Sequence, residues 1–282
     1  YMLHTYKDAD NPKAVVLYDE TTEEGANGGT GKSLFADAIA EIRKSVSIDG
    51  KNVKSGSNFM YQRVTLDTQI IDFDDVTKGF EFEKLFSVIT EGVTVEKKGA
   101  DEFHIPFDDS PKIMVSSNYS LKGEGSSFDR RIHALEFHPF YNPQNRPSKV
   151  AGRRFFEKEW LDSGEFNKFY NYMLECLQGF IDSGLYEVEM VGEKKRKFMR
   201  ACPQSLIKYF NIDGDCPFVG QRNLDVDMLK NSMHETGYDT DLLTNSQIYK
   251  IMDAYGILRY GERIVKHGNL KTGATEIIIP KA

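Results

Sequence analysis

A glycine-rich segment limits the possible folds of this chain more than any other feature: residues 25–33 read Gly-Ala-Asn-Gly-Gly-Thr-Gly-Lys-Ser. From Ala26 onward it fits the phosphate-binding loop pattern G-x-x-x-x-G-K-[ST], with Ala26 in place of the first glycine. An apolar stretch at 14–19 precedes the loop, and apolar residues at helical spacing follow it from Leu34 to Ile42. Strand, loop and helix occur in the order that this motif requires, which predicts an α/β fold.

The loop predicts a nucleotide site. Glycines let the backbone bend around phosphate groups with the amides pointing inward, and the N-terminus of the following helix adds positive potential. Lys32 would reach the β- and γ-phosphates of ATP, and the Ser33 hydroxyl would bind Mg²⁺. The residues expected to hold the nucleotide are Gly28, Gly29, Thr30, Gly31, Lys32 and Ser33.

A second strand ends in carboxylates, as the other half of such a site requires. Residues 69–76 read Gln-Ile-Ile-Asp-Phe-Asp-Asp-Val. We assign Asp74 to the magnesium shell, through water, and Asp75 to polarising the attacking water. Asp72 interrupts the apolar run, so a shifted register stays open, as does a surface turn with three acids.

A helix and a hairpin follow this strand. Apolar residues spaced from Phe82 to Ile89 predict an amphipathic helix. Alternating residues at 93–96 and 102–105 then predict a β-hairpin whose tip carries Lys97 and Lys98.

Two more strands are predicted at 112–118 and 132–137. The first ends in Asn118, whose amide could hold the water that attacks the γ-phosphate. Arg130 and Arg131 directly precede the second strand.

The order of these motifs resembles that of superfamily 3 helicases, within the AAA+ class. It is most similar to the helicase part of phage and poxvirus-type primase-helicases, which have segments like 89–92 (Ile-Thr-Glu-Gly) and 110–112 (Ser-Pro-Lys). The resemblance covers residues 14–140. It implies nucleotide and magnesium binding, hydrolysis and a sensor role for Lys32, Ser33, Asp74, Asp75 and Asn118.

The same resemblance implies a ring around a nucleic-acid strand. Lys97 or Lys98 would contact single-stranded nucleic acid, expected to be DNA, in the channel. Arg130 or Arg131 would be an arginine finger that reaches the ATP of a neighbouring subunit. Further copies of this chain are then partners, and a hexamer is the expected assembly.

The remaining residues predict two more regions after an ATPase domain at 1–140. A breaker-rich stretch opens a helical linker segment at 141–204, and a winged-helix-like domain follows at 205–282. In the latter we expect helices near 224–235 and 245–254, and strands near 257–265 and 275–280 that flank a glycine-rich tip.

Composition indicates the cellular environment and the surface charge of the chain, but not its chemistry. A net charge of −7 argues against a surface that is basic throughout, but a ring needs positive charge only along its channel. The three cysteines lack close pairing, which fits a reducing cytoplasm, and the apolar runs are too short for a membrane span. Because the first residue is Tyr1, we expect a domain of a longer polypeptide.

These patterns favour an ATP-dependent DNA helicase or translocase of phage or mobile-element replication. Two alternatives stay open. A nucleotide-gated initiator or scaffold that binds DNA without unwinding would carry the same motifs. A small-molecule P-loop kinase would leave the lysine-tipped hairpin without a purpose.

Overall fold

The structure is a computed structural model. It describes residues 1–20, 29–53, 59–123, 125–186, 188, 190, 192–210, 218, 224–240, 243–267 and 275–278. The chain divides into two compact units, Tyr1–Met190 and Val191–Ala282. The segment predicted as a helical linker, 141–204, is therefore shared between the two units.

The first unit alternates strands and helices. In chain order it contains β1 (Ala14–Asp19), α1 (Lys32–Ala40), β2 (Ser45–Asp49), β3 (Ile70–Val76), a 3₁₀ turn (Phe82–Leu85), α2 (Phe86–Thr90), β4 (Gly92–Val95), β5 (Phe103–Pro106), β6 (Lys112–Ser117), α3 (Ser126–Asp129), β7 (Ile132–Phe137), α4 (Pro147–Ala151), α5 (Lys158–Asp162) and α6 (Glu165–Ser183). The predicted strands and the helix after the loop are confirmed.

Five of these strands form one parallel sheet in the order β2-β3-β6-β1-β7. All residues of β1 and β6 are buried, because both faces of a parallel sheet are covered. This explains why the strands read as continuous apolar runs. The connection after β1 crosses to the far edge strand β2, while β7 lies on the other side of β1. Ligands of open α/β sheets bind at the carboxyl ends of the strands around such a switch point.

The two faces of the sheet have separate cores. On one face Val16, Phe73 and Val115 pack with the 3₁₀ turn, α2 and the apolar side of the hairpin. On the other face Leu17 and Met114 pack with apolar residues that include Ile39 of α1. Burial of each of these large side chains stabilises the fold by roughly 1.5–3 kcal/mol. The packing of α1 on the sheet fixes the position of its first turn.

The predicted hairpin is confirmed as a separate antiparallel pair, β4-β5. Gly92 begins β4 with φ 125°, and a Cβ atom there would lie 2.3 Å from the carbonyl oxygen of Ile105. A side chain at Gly92 would therefore push the two strands apart.

The second unit contains α7 (Glu193–Ala201), α8 (Gln204–Phe210), α9 (Val226–Glu235), α10 (Asn245–Tyr260), β8 (Val265–His267) and β9 (Thr275–Ile277). The two C-terminal strands pair antiparallel, and Leu224 forms a further bridge to Ile277. This order of helices and strands matches the predicted one. The winged-helix assignment stays a prediction, and the glycine-rich tip at 268–273 lies outside the described residues.

The predicted strand at 257–265 is wrong except at its last residue, because α10 continues to Tyr260 and β8 begins only at Val265. A capping box of Thr244 and Gln247 fixes the helix start, and buried Met252 and Tyr255 hold its later turns in the core. The helix ends only at Gly261, which has φ 76°. Packing therefore overrides the β-propensity of the aliphatic and aromatic residues near its end.

Within the described parts of the chain, every helix is too short or too polar to cross a membrane.

Candidate nucleotide site

The carboxyl ends of three neighbouring strands bring polar side chains together at one edge of the sheet. Tyr18 of β1 pairs with Ser117 of β6, so Asp19 and Asn118 follow directly at this edge. The strand β3 lies on the other side of β6 and carries Asp74 and Asp75 near its end.

Lys32 lies at the centre of this edge. It is the first residue of α1 and is buried, with its ammonium directed back toward the strand ends. Its Nζ donates hydrogen bonds to Oδ1 of Asp19 at 2.5 Å and to Oδ1 of Asn118 at 2.8 Å. The structure thus joins two predicted site residues that are far apart in sequence.

Asp19 is a residue of this edge that the sequence reasoning missed. Its carboxylate is 2% exposed and accepts hydrogen bonds from both the Thr30 hydroxyl and Lys32. The sequence signal for Asp19 is its position at the end of a buried apolar strand. Asn118 has a similar position, directly after β6. Asp19 anchors Thr30 and Lys32 at the end of β1.

The end of β3 is irregular, and this places both carboxylates at the site. Asp75 has φ 52°, and the pairing with β6 shifts between Phe73 and Val76. Ser116 holds the bend, because its hydroxyl donates to Oδ1 of Asp74 at 2.8 Å and accepts from the backbone N–H of Asp75 at 2.7 Å. A regular strand would point these adjacent side chains to opposite faces.

Asn118 connects the lysine to the second carboxylate. Its Oδ1 accepts from Lys32, and its Nδ2 donates to Oδ1 of Asp75 at 3.1 Å. The other oxygen of Asp75 is 2.5 Å from the ammonium of Lys51, and this hydrogen bond raises the pKa of Lys51. The result is a continuous polar chain from Lys32 through Asn118 to Asp75.

Asp72 lies deeper in β3, and it is 6% exposed. Burial, with further contributions from the charges of Asp74 and Asp37, raises its pKa to about 7. Burial and then Asp74 also raise the pKa of Asp37, which lies on α1. Because Asp72 pairs in the middle of the sheet with Ser47 and Met114, it is Asp74 and Asp75 that stand at the strand end.

The described part of the glycine loop has the backbone that the motif requires. Gly29 and Gly31 have φ 79° and 109°, and no atom lies within 4 Å of a Cβ added at Gly29. Ser33 is exposed at the start of α1. Gly28 lies outside the described residues. Among the residues that are described, His, Cys, Asp and Glu form no group of three or more arranged as a metal site.

The two hairpin lysines that the sequence analysis assigned to the site differ in exposure. Lys97 lies 5.4 Å from the ring centre of Phe103 on the same hairpin, and Lys98 is exposed.

The two predicted arginines differ from each other. The guanidinium of Arg131 lies 4.5 Å from the ring centre of Phe86 and donates to the carbonyl of Ser127 at 2.7 Å. Arg130 is exposed at the end of α3. Arg130 is therefore the more accessible of the two.

A family model described as a family of unknown function (DUF5906) matches residues 24–131 of this chain, less than half of its length. The matched region extends from the glycine loop to Arg131. No curated protein matches the chain.

Several solved structures are similar to this chain at low identity. JCV helicase, in a complex with a thiazolopyridine acetamide, is 19% identical over 46% of this chain and 37% of its own, with a TM-score of 0.34. Two apo structures of the C-terminal region of NrS-1 are 17% and 13% identical, with TM-scores of 0.35 and 0.37. Both cover 96% of this chain and 67% of their own.

Proposed function

We propose that this chain is an ATPase that hydrolyses ATP at the edge formed by β1, β3 and β6, and that it acts as a DNA helicase or translocase in replication. The polar chain from Lys32 through Asn118 to Asp75 carries this proposal. It joins a phosphate-binding cation, an amide and a carboxylate at a switch point of a parallel sheet, beside a glycine loop.

The described residues fit ATP and magnesium. The left-handed glycines and the N-terminus of α1 supply amides and positive potential for phosphates, and Lys32 supplies a buried cation. Ser33 and Asp74 would hold Mg²⁺, Asp74 through water. When bound, ATP and Mg²⁺ supply the γ-phosphoryl group and charge that neutralises its oxygens.

The protein then has to orient one water molecule and take a proton from it. Asn118 donates to Asp75, and this contact fixes both side chains at the strand ends. Asp75 keeps a carboxylate beside the site, where it accepts the proton. Ser116 and the backbone bend at Asp75 hold that carboxylate in place.

Asp75→Asn is expected to lower ATP hydrolysis by about 10²–10⁴-fold, because an amide cannot accept the proton. Nucleotide affinity should stay close to that of the unmodified chain, because the change removes no phosphate contact. Steady-state phosphate release and binding of a fluorescent ATP analogue measure the two effects.

The matched control for this change is Lys51→Ala. It removes the exposed ion pair of Asp75 and keeps the carboxylate, so it should leave hydrolysis nearly unchanged. A loss of nucleotide affinity in Asp75→Asn would show that Asp74 and Asp75 exchange roles. Equal hydrolysis in Asp75→Asn and the unmodified chain would refute the assignment.

The proposed nucleic-acid function uses the hairpin and a ring of subunits. In a hexamer, Lys97 and Lys98 of each subunit would line a channel around single-stranded DNA, and Arg130 or Arg131 would reach the neighbouring nucleotide. The motif order that resembles superfamily 3 helicases supports this part of the proposal. A winged-helix-like second unit fits a protein that contacts DNA or its partners.

Replacing Lys97 and Lys98 together by Ala should weaken binding of single-stranded DNA and flatten its salt dependence. For single strands, log affinity falls with log salt by roughly 0.7 for each phosphate neutralised. Basal hydrolysis should persist, because neither lysine contacts the strand-end cluster among the described residues. Fluorescence anisotropy of a labelled oligonucleotide across a salt series, with hydrolysis rates with and without DNA, measures this.

The control replaces the exposed lysines Lys78 and Lys84 of the same unit. A similar loss of affinity in both double variants would remove the hairpin from the mechanism. Weaker binding with no unwinding in the unmodified chain would favour the initiator or scaffold alternative.

A further inference from the structure

The first unit contains a pocket between α1 and the two later helices α5 and α6. Its volume is ≈ 680 Å³, and Gly31, Leu34 and Phe35 from the loop and α1 form one side. Residues of α5 and α6, including Trp160 and Phe169, form another side. This volume lies within the range of small-molecule sites, about 300–1,000 Å³.

The far wall is a rigid aromatic cluster. The ring centre of Trp160 lies 5.1 Å from that of Phe156 and 5.5 Å from that of Phe169, in edge-to-face contacts. Such contacts hold the rings against one another, and all three rings belong to the pocket lining. Phe156 also has φ 62°, a left-handed backbone that is rare for a residue with a ring side chain. Strained residues of this kind cluster at ligand sites.

The polar groups of the lining are few: most lie on α6, and Tyr1 and His133 lie outside it. Glu165 forms an ion pair with Arg153, so its charge is compensated. Lys168 is exposed and has no ion-pair partner among the residues that the structure describes. The pocket therefore has a mostly apolar lining, with the ammonium of Lys168 at one of its α6 positions. A ligand with ring systems and at most one negative charge matches this arrangement.

We propose that this pocket is a binding site for a small apolar molecule with ring systems. The occupant is a small molecule rather than a protein segment, because the cavity is concave, of small-molecule size and walled by fixed rings. The pocket adjoins the loop residue Gly31, but Lys32, Asp75 and Asn118 are not among its lining residues. The proposal does not depend on the proposed ATPase function.

The probe for this site is 8-anilinonaphthalene-1-sulfonate, which has joined apolar rings and one anionic group. The chain has a single tryptophan, Trp160, which lines this pocket, so its emission reports on dye bound in or near the pocket. Saturable binding should quench Trp160 emission by energy transfer to the dye while the chain stays folded. Titration of the full chain without nucleotide measures both signals.

Cys176→Phe provides the test, because Cys176 is exposed on α6 and its side chain lines the pocket. A ring at this position should fill the cavity and weaken dye binding at least about tenfold, which is 1.4 kcal/mol. The matched control is Asn171→Phe, which places the same ring at an exposed position of α6 outside the pocket lining. It should bind the dye as the unmodified chain does.

Thermal unfolding followed by Trp160 emission shows whether both variants keep the fold. Equal dye affinity in the two variants would overturn the proposal, because the dye would then bind elsewhere. Absence of saturable dye binding to the full chain would also overturn the proposal. So would loss of dye binding when the chain self-associates, because a second copy of the chain would then be the occupant.

Discussion

Lys32→Ala is expected to lower ATP hydrolysis by at least about a hundredfold, because the proposed function places the Lys32 charge where negative charge develops on the transferred phosphoryl group. Nucleotide affinity should fall as well, since the proposed function makes Lys32 a ground-state phosphate contact. Phosphate release and ATP-analogue binding measure the two losses. Turnover close to that of the unmodified chain would refute the ATPase proposal.

The same change should also cost stability. Lys32 and Asp19 form a buried pair, with side chains 9% and 1% exposed. Removal of one partner of such a pair costs roughly 3–5 kcal/mol, because the other charge remains buried. Urea unfolding followed by Trp160 emission measures this loss, since Trp160 lies in the same unit.

Two further variants separate chemistry from folding. Lys44→Ala removes an exposed lysine that pairs with Asp67, so both hydrolysis and stability should stay nearly unchanged. Lys32→Met combined with Asp19→Asn removes both buried charges. This double variant should recover stability relative to Lys32→Ala but not hydrolysis.

The sheet could be predicted from sequence because its central strands are covered on both faces. β1 and β6 are buried along their whole length, and each has a central apolar run and ends in a polar residue. The glycine loop between β1 and α1 then fixes which edge of the sheet holds the site. From these facts Lys32, Asp74 and Asn118 follow as neighbours.

The contacts that hold the site could not be predicted in the same way. Ser116 is one small residue in a buried strand, and its contact with Asp74 depends on the register between β3 and β6. The bend at Asp75 depends on that contact too. Asp19 reads as the first of several acids before the loop, and only the return of α1 toward β1 brings Lys32 to it.

α10 is longer than the sequence predicts, because the local strand propensity of its last residues does not decide their structure. Its last turns contain aliphatic and aromatic residues that favour strands when considered alone. In the structure, Gly256 lies close to the backbone of Glu262, where a Cβ atom would be 2.7 Å from the carbonyl oxygen. The chain after α10 therefore folds back onto the helix. No local sequence pattern indicates this contact.

The second large expected effect is that Asp72→Asn stabilises the folded chain, by an amount that depends on pH. In the folded chain the pKa of Asp72 is raised from 3.8 to about 7, chiefly by burial, and Oδ1 has no hydrogen-bond partner among the described residues. The folded state therefore binds this proton more tightly than the unfolded state. The difference between the two pKa values corresponds to up to about 4 kcal/mol.

The direction of this pH dependence follows from whether the folded or the unfolded state loses the Asp72 proton at the lower pH. Below pH 3.8 Asp72 is protonated in both states, so it costs no stability. Between pH 3.8 and about 7 the unfolded chain loses the proton first, and stability falls as the pH rises. Above that range the buried carboxylate is charged and the full cost is present. The amide that replaces it in Asp72→Asn has the shape of the neutral acid and carries no charge at any pH.

We therefore expect Asp72→Asn to unfold at nearly the same urea concentration as the unmodified chain near pH 4, and at a clearly higher one at pH 8. Trp160 emission follows the unfolding of the correct unit at each pH. The matched control is Asp67→Asn at an exposed carboxylate, where hydrogen bonds from Lys44 and Thr65 lower the pKa to about 2, so its smaller effect should have the opposite sign. A gain of stability in Asp72→Asn that is equal at both pH values would show that packing, and not the buried charge, limits stability at this position.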